Sequence, residues 1–129
     1  MKLIGKYDKV QIDLEGDAES LGKLAQEMRQ LHDVYEWSLD KPSSGSLAPY
    51  SGLAISLKIE VANDSVCVSR IEGQIVIRGS IEKLKILAHN IQFAADDANS
   101  DHQHIDYHPN HYYLDQRSVP LIITRLSSK

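Results

Sequence analysis

DHQHIDYHPNHYYLD, from Asp101 to Asp115, holds four of the chain's six histidines, three aspartates and three of its six tyrosines. On an extended strand, side chains alternate, so His102, His104, Asp106 and His108 would share one side and Gln103, Ile105 and Tyr107 the other. Residues two apart on a strand stand about 6.5–7 Å from each other. Two imidazoles at that spacing could converge on zinc or another transition metal, with His111 as a further ligand and Asp106 as ligand or orienting group. The same residues could do acid–base hydrolysis, with His104, His108 and His111 exchanging protons near neutrality. They could also be the wet side of an outer strand, with no cofactor and no chemistry. No partner group elsewhere in the sequence implies a cleft beneath them.

The elements that carry this segment come from periodicity. KYDKVQIDLEG reads as a first strand, with Val10, Ile12 and Leu14 on its apolar side. Gly16 breaks it, and Asp17 caps the helix DAESLGKLAQEMRQLHD, striped by Leu21, Leu24, Met28 and Leu31. DKPSSGSLAPYSG is a loop. Tyr35 and Trp37 precede it and Tyr50 lies within it, as interface anchors or as cover for a helix end. LAISLKIEV, VCVSRI and QIVIRG are strands joined by short turns. SIEKLKILAHNIQFAADDA is a second helix, capped by Ser80, with Ile81, Leu84, Ala88, Ile91 and Ala95 on one face. Asp96 and Asp97 sit badly at a helix C-terminus, which argues that the helix stops before them or that something compensates. VPLIITRL is the last strand, with Pro120 at its start.

The order is β-α-β-β-β-α-β-β. It implies an α+β fold, with an antiparallel or mixed sheet and two helices on one face. The 129 residues fit a single domain, 1–129. No sequence repeat shows. No phosphate-binding glycine loop, nucleophile elbow or HExxH occurs. A net charge of -4 argues against a nucleic-acid partner. No run is long and apolar enough for a membrane span, and no signal-peptide core opens the chain, so a cytoplasmic protein is expected. The lone Cys67, between Val66 and Val68, reads as a small buried hydrophobe. Edge strands of such a sheet could pair across a homodimer.

HQHIDYHPNHYYLDQRSVPLIITR resembles the signature of a small family of bacterial immunity-type proteins found with polymorphic toxins. The residues that fit it are His102, His104, Asp106, Tyr107, Pro109, His111, Tyr113, Leu114, Ser118, Pro120 and Leu121. Asn110 stands where the signature has glycine, and asparagine also tolerates a left-handed turn. The resemblance covers the last quarter of the chain. It implies a protein that binds and silences a cognate toxin by occlusion, without cofactor or turnover. The contact groups would then be Tyr35, Trp37, Tyr50, the acidic Asp96, Asp97 and Asp101, and His102, His104 and Tyr112 of the histidine segment. Those acidic groups would suit a basic toxin.

Overall fold

The computed structural model describes residues 2–42, 50–97 and 102–126. Its two helices start alike. Asp17 caps α1 (Ala18–Arg29) by accepting the Ser20 amide, and Ser80 caps α2 (Ile81–Asp96) by accepting the Lys83 amide. Leu21, Leu24, Ala25 and Met28 of α1 are buried, and so are Leu84, Leu87, Ala88 and Ile91 of α2. The same i, i+3, i+4, i+7 stripe is thus used twice, and the helices pack on each other.

Nine strands surround them among the described residues: β1 (Leu3–Tyr7), β2 (Ile12–Gly16), β3 (Val34–Ser38), β4 (Gly52–Ala54), β5 (Ser56–Val61), β6 (Cys67–Ile71), β7 (Gln74–Gly79), β8 (His102–Ile105) and β9 (Leu121–Arg125). The fold is α+β, as expected, but the strands form two mixed sheets. Sheet A runs β4-β1-β2-β9-β8, and sheet B runs β3-β5-β7-β6. The split falls at Ile55, between β4 and β5, inside the LAISLKIEV run that periodicity reads as one strand. Its amide bonds the Gly73 carbonyl at 2.7 Å and its carbonyl takes the Leu39 amide at 2.9 Å, so the chain leaves one sheet and enters the other. One apolar core nevertheless includes the inner faces of both sheets and both helices.

The registers reveal a duplicated plan that no sequence repeat announces. The hairpin β1–β2 followed by α1, β3 and β5 matches the hairpin β6–β7 followed by α2, β8 and β9. Gly5 faces Leu14 as Val68 faces Ile77; Ile12 lies beside Leu121 as Ile75 lies beside Leu57; Trp37 faces Leu57 as Ile105 faces Leu121. Even the close approaches agree. A Cβ on Gly16 would stand 2.8 Å from Leu3 Cδ2, and one on Gly79 would stand 2.9 Å from Val66 Cγ2. The equivalents Tyr7 and Arg70 touch, with the guanidinium 3.9 Å from the ring centre. The parallel pairs cross between halves: β2 of the first binds β9 of the second, and β7 of the second binds β5 of the first.

Three element bounds differ from expectation. KYDKVQIDLEG is not one strand, because Asp8 Oδ1 accepts the Val10 and Gln11 amides at 2.8 and 2.9 Å and turns the chain between β1 and β2. Val10 therefore stands in the turn, 67% exposed. Tyr35 and Trp37 lie on a strand, β3, rather than at a helix end. The second helix continues through Asp96, whose carboxylate accepts from Gln92 Nε2 at 3.0 Å. Cys67 is half-buried on the outer side of sheet B, and burial pushes its thiol pKa up.

Candidate functional site

The histidine segment is a strand only as far as Ile105. There the expected alternation holds, with His102 and His104 exposed and Ile105 buried. Beyond it, residues 106–108 leave the sheet and are exposed, so Asp106 and His108 do not continue the row. Pro109 and Asn110 form a turn closed by the His111 amide donating to the His108 carbonyl at 3.0 Å. Asn110 adopts φ 76°, the left-handed conformation expected of it.

His111 organises the chain from Tyr112 to Leu114. Its Nδ1 accepts the amides of Tyr113 at 3.4 Å and Leu114 at 3.1 Å, much as a cap does at a helix start. A nitrogen that accepts cannot carry the proton, so the neutral ring bears it on Nε2. Burial, and then the neighbouring His108, lower the His111 pKa. His108 has the opposite arrangement. Its Nδ1 stands 2.9 Å from the Pro109 carbonyl, which can only accept, so Nδ1 carries the proton and Nε2 is an acceptor in the neutral ring. The two rings lie 4.9 Å apart.

Tyr113 is buried, and its hydroxyl accepts from Asn90 Nδ2 of α2 at 2.7 Å. Leu114 bridges Val66, and Ser118 Oγ accepts the Val68 amide at 2.9 Å, so this stretch is fastened along the outside of β6. Arg117 grips Asp115 through two bonds of 3.0 Å, which holds that carboxyl's pKa down at about 2. Tyr112, in contrast, stands 70% exposed.

Between β8, α2 and this turn lies an open cleft of about 370 Å³. Gln103, His104, Ile105, Asp106, His108, His111, Tyr112, Tyr113 and Asn90 line it. No local residue pattern implies a cleft here. It arises at the sheet edge, where Gln103 and Ile105 stand at the places that Tyr35 and Trp37 occupy in the other half. There the two larger rings stack 4.1 Å apart. Asn90, Gln103 and Tyr113 are site residues that the sequence pattern does not single out for contact or chemistry. Asn90's only signal is a polar residue flanking the apolar stripe of α2.

Of the candidate residues, the cleft gathers His104, Asp106, His108, His111 and Tyr112. His102 lies apart from it, with Nδ1 3.0 Å from Thr124 Oγ1, which donates in turn to Asp13 at 2.6 Å. Tyr50 faces the same carboxylate across the outside of sheet A. Burial, then Asp13, raise the Tyr50 pKa to about 12. Tyr35 and Trp37 sit on the free edge of sheet B, and Asp96 and Asp97 end α2. Asp101 lies outside the described residues. Among the described residues, no three His, Cys, Asp or Glu side chains, His102, His104, Asp106, His108 and His111 included, are gathered as a group that could hold one metal ion.

Comparison with known proteins bears on this stretch. Residues 74–126 match the family model of Immunity protein 32. The match supports an immunity-type protein family, in agreement with the resemblance of the last quarter. It spans β7, α2, β8, the turn and β9, and every residue lining the cleft falls inside it. No curated protein and no solved structure matches the chain.

Proposed function

We propose that this chain is a bacterial immunity protein that acts in the cytoplasm, binding a cognate toxin and silencing it by covering its working surface. The observation that carries the reading is the match to Immunity protein 32 over the stretch that builds the cleft. The exposed groups around the cleft suit protein contact. Tyr112 supplies a large amphipathic ring, and His104, Asp106 and His108 form a polar rim. A standard interface takes about 800 Å² from each partner, roughly a tenth of this chain's 7366 Å². Occlusion on that scale requires neither turnover nor a cofactor. No helix among the described residues is long and apolar enough to cross a membrane.

The test is co-expression with the product of each neighbouring gene. The expected result is rescue of growth from one toxic neighbour, together with a stable complex on gel filtration. A neighbourhood without such a product, or a toxic product that this protein neither rescues nor binds, would overturn the reading.

A further inference from the structure

We propose that the cleft at the β8 edge is a socket for a basic side chain, an arginine above all, presented by the protein partner. The inference rests on the partner-binding reading and adds the chemistry of the contact.

The cleft is rich in acceptors and carries negative charge. Asp106 contributes a carboxylate. Asn90 gives its Nδ2 to the Tyr113 hydroxyl, which leaves its Oδ1 to accept. His108 gives its Nδ1 proton to the Pro109 carbonyl, which leaves Nε2 to accept. His111 is held neutral by the two amides at its Nδ1, so it adds no opposing charge. Among the described residues, no lysine or arginine lines the cleft. A guanidinium matches this set, because it has five N–H donors and no acceptor.

The walls suit a flat cation as well. The rings of His111, Tyr112 and Tyr113 pack together with centres 4.6 to 5.8 Å apart. Guanidinium planes stack on such faces, whereas a compact ammonium uses them less fully. At the equivalent place in the other half, the stacked rings of Tyr35 and Trp37 stand instead. A carboxylate guest would meet the like charge of Asp106.

The test is titration of the full-length ¹⁵N-labelled protein at neutral pH with N-acetyl-arginine amide, with the neutral N-acetyl-citrulline amide, and with zinc. Saturable shifts confined to the Asn90 side chain and residues 103–113 are expected for the arginine probe. Binding should be roughly tenfold weaker or more for the citrulline probe and for Asp106→Asn, since both remove a charge-assisted hydrogen bond. Equal binding of both amides, no saturable shift, or zinc uptake at His108 and His111 that the arginine probe fails to oppose would overturn the socket. The same variant separates the two readings. A toxin that binds Asp106→Asn as tightly as wild type sinks the socket and keeps the immunity function. An arginine probe that saturates the cleft, where no neighbouring product binds the protein, keeps the socket and sinks that function.

Discussion

The outer faces of the two sheets make the most instructive comparison in this molecule. They occupy equivalent places, yet the outer face of sheet A is buried at Asp13, Glu15 and Thr124, whereas on sheet B only the central Val76 is buried and the charged residues around it reach solvent. On sheet B, Arg78 pairs with Glu60 at 2.7 Å and Lys58 approaches the same carboxylate at 3.6 Å, all at the solvent boundary. The equivalents of Arg78, Val76 and Glu60 on sheet A are Glu15, Asp13 and Thr124, and these are buried. Lys6 approaches Glu15 at 3.2 Å, and Tyr50 closes over Asp13. The difference stems from the loop after each edge strand. After β3, Tyr50 stands against Asp13 on the outside of sheet A. After β8, the chain turns instead toward α2 through Tyr113, and the cleft forms beneath it. One scaffold therefore carries a sealed polar network in one half and an open binding place in the other.

Core substitutions test whether the halves share their scaffold energetically. Leu24→Ala and Leu87→Ala each delete a fully buried side chain from the same stripe position. Each is expected to cost about 2–5 kcal/mol in urea unfolding, by similar amounts. A large cost in one half and none in the other would break the equivalence. Next come the close approaches. Gly16→Ala and Gly79→Ala force a Cβ against Leu3 and Val66, and each should cost about 1–3 kcal/mol by thermal melting.

The outer faces themselves should respond differently to pH. Burial, reinforced by the neighbouring Asp13, outweighs Lys6 and raises the Glu15 pKa from 4.5 to about 7. A carboxyl shifted upward on folding contributes stability that is complete below pH 4.5 and lost as pH rises through 7. Glu15→Gln should therefore stabilise the protein by on the order of 1–2 kcal/mol above pH 8, with no gain below pH 4. Arg78→Gln at the equivalent exposed place should change stability by less than about 0.5 kcal/mol throughout. Unfolding curves across pH would decide; a flat difference for Glu15→Gln would show that folding leaves the pKa of its carboxyl unshifted.

The smallest effect concerns the cleft's turn. His111 has a lowered pKa, so its contribution is present above the ordinary imidazole range and lost as pH falls through the lowered value. His111→Ala leaves two amides without their acceptor and should cost about 1 kcal/mol at pH 7.5, shrinking in acid. Amide exchange at Tyr113 and Leu114 reports it; unchanged protection in the variant would count against the capping role.

Local signals were legible in the sequence. Asp17 and Ser80 marked both helix starts, Asn110 marked the left-handed turn, and the stripes of α1 and α2 named core residues except for Ile81, which stands exposed in the first turn of α2. The missed features needed partners distant along the chain. Nothing near Ile55 says that its neighbours belong to different sheets. Val34–Ser38 reads poorly as a strand because the run is short and the apolar Val34 adjoins Tyr35, which blurs the start of the alternation. The duplication is invisible because Asp13 replaces Val76 and Glu15 replaces Arg78, so backbone plan and side-chain chemistry have diverged. The cleft depends on Asn90, which only the fold brings to the histidine turn.

The crossed parallel pairs also govern how the protein can be made. On the ribosome, β2 emerges long before its parallel neighbour β9, which follows both helices and six further strands. Until then a hydrogen-bonding edge flanked by Ile12 and Leu14 stays open to any passing strand. Neither half can finish its own sheet, so cutting the chain between β5 and β6 should yield two fragments that assemble only in each other's company.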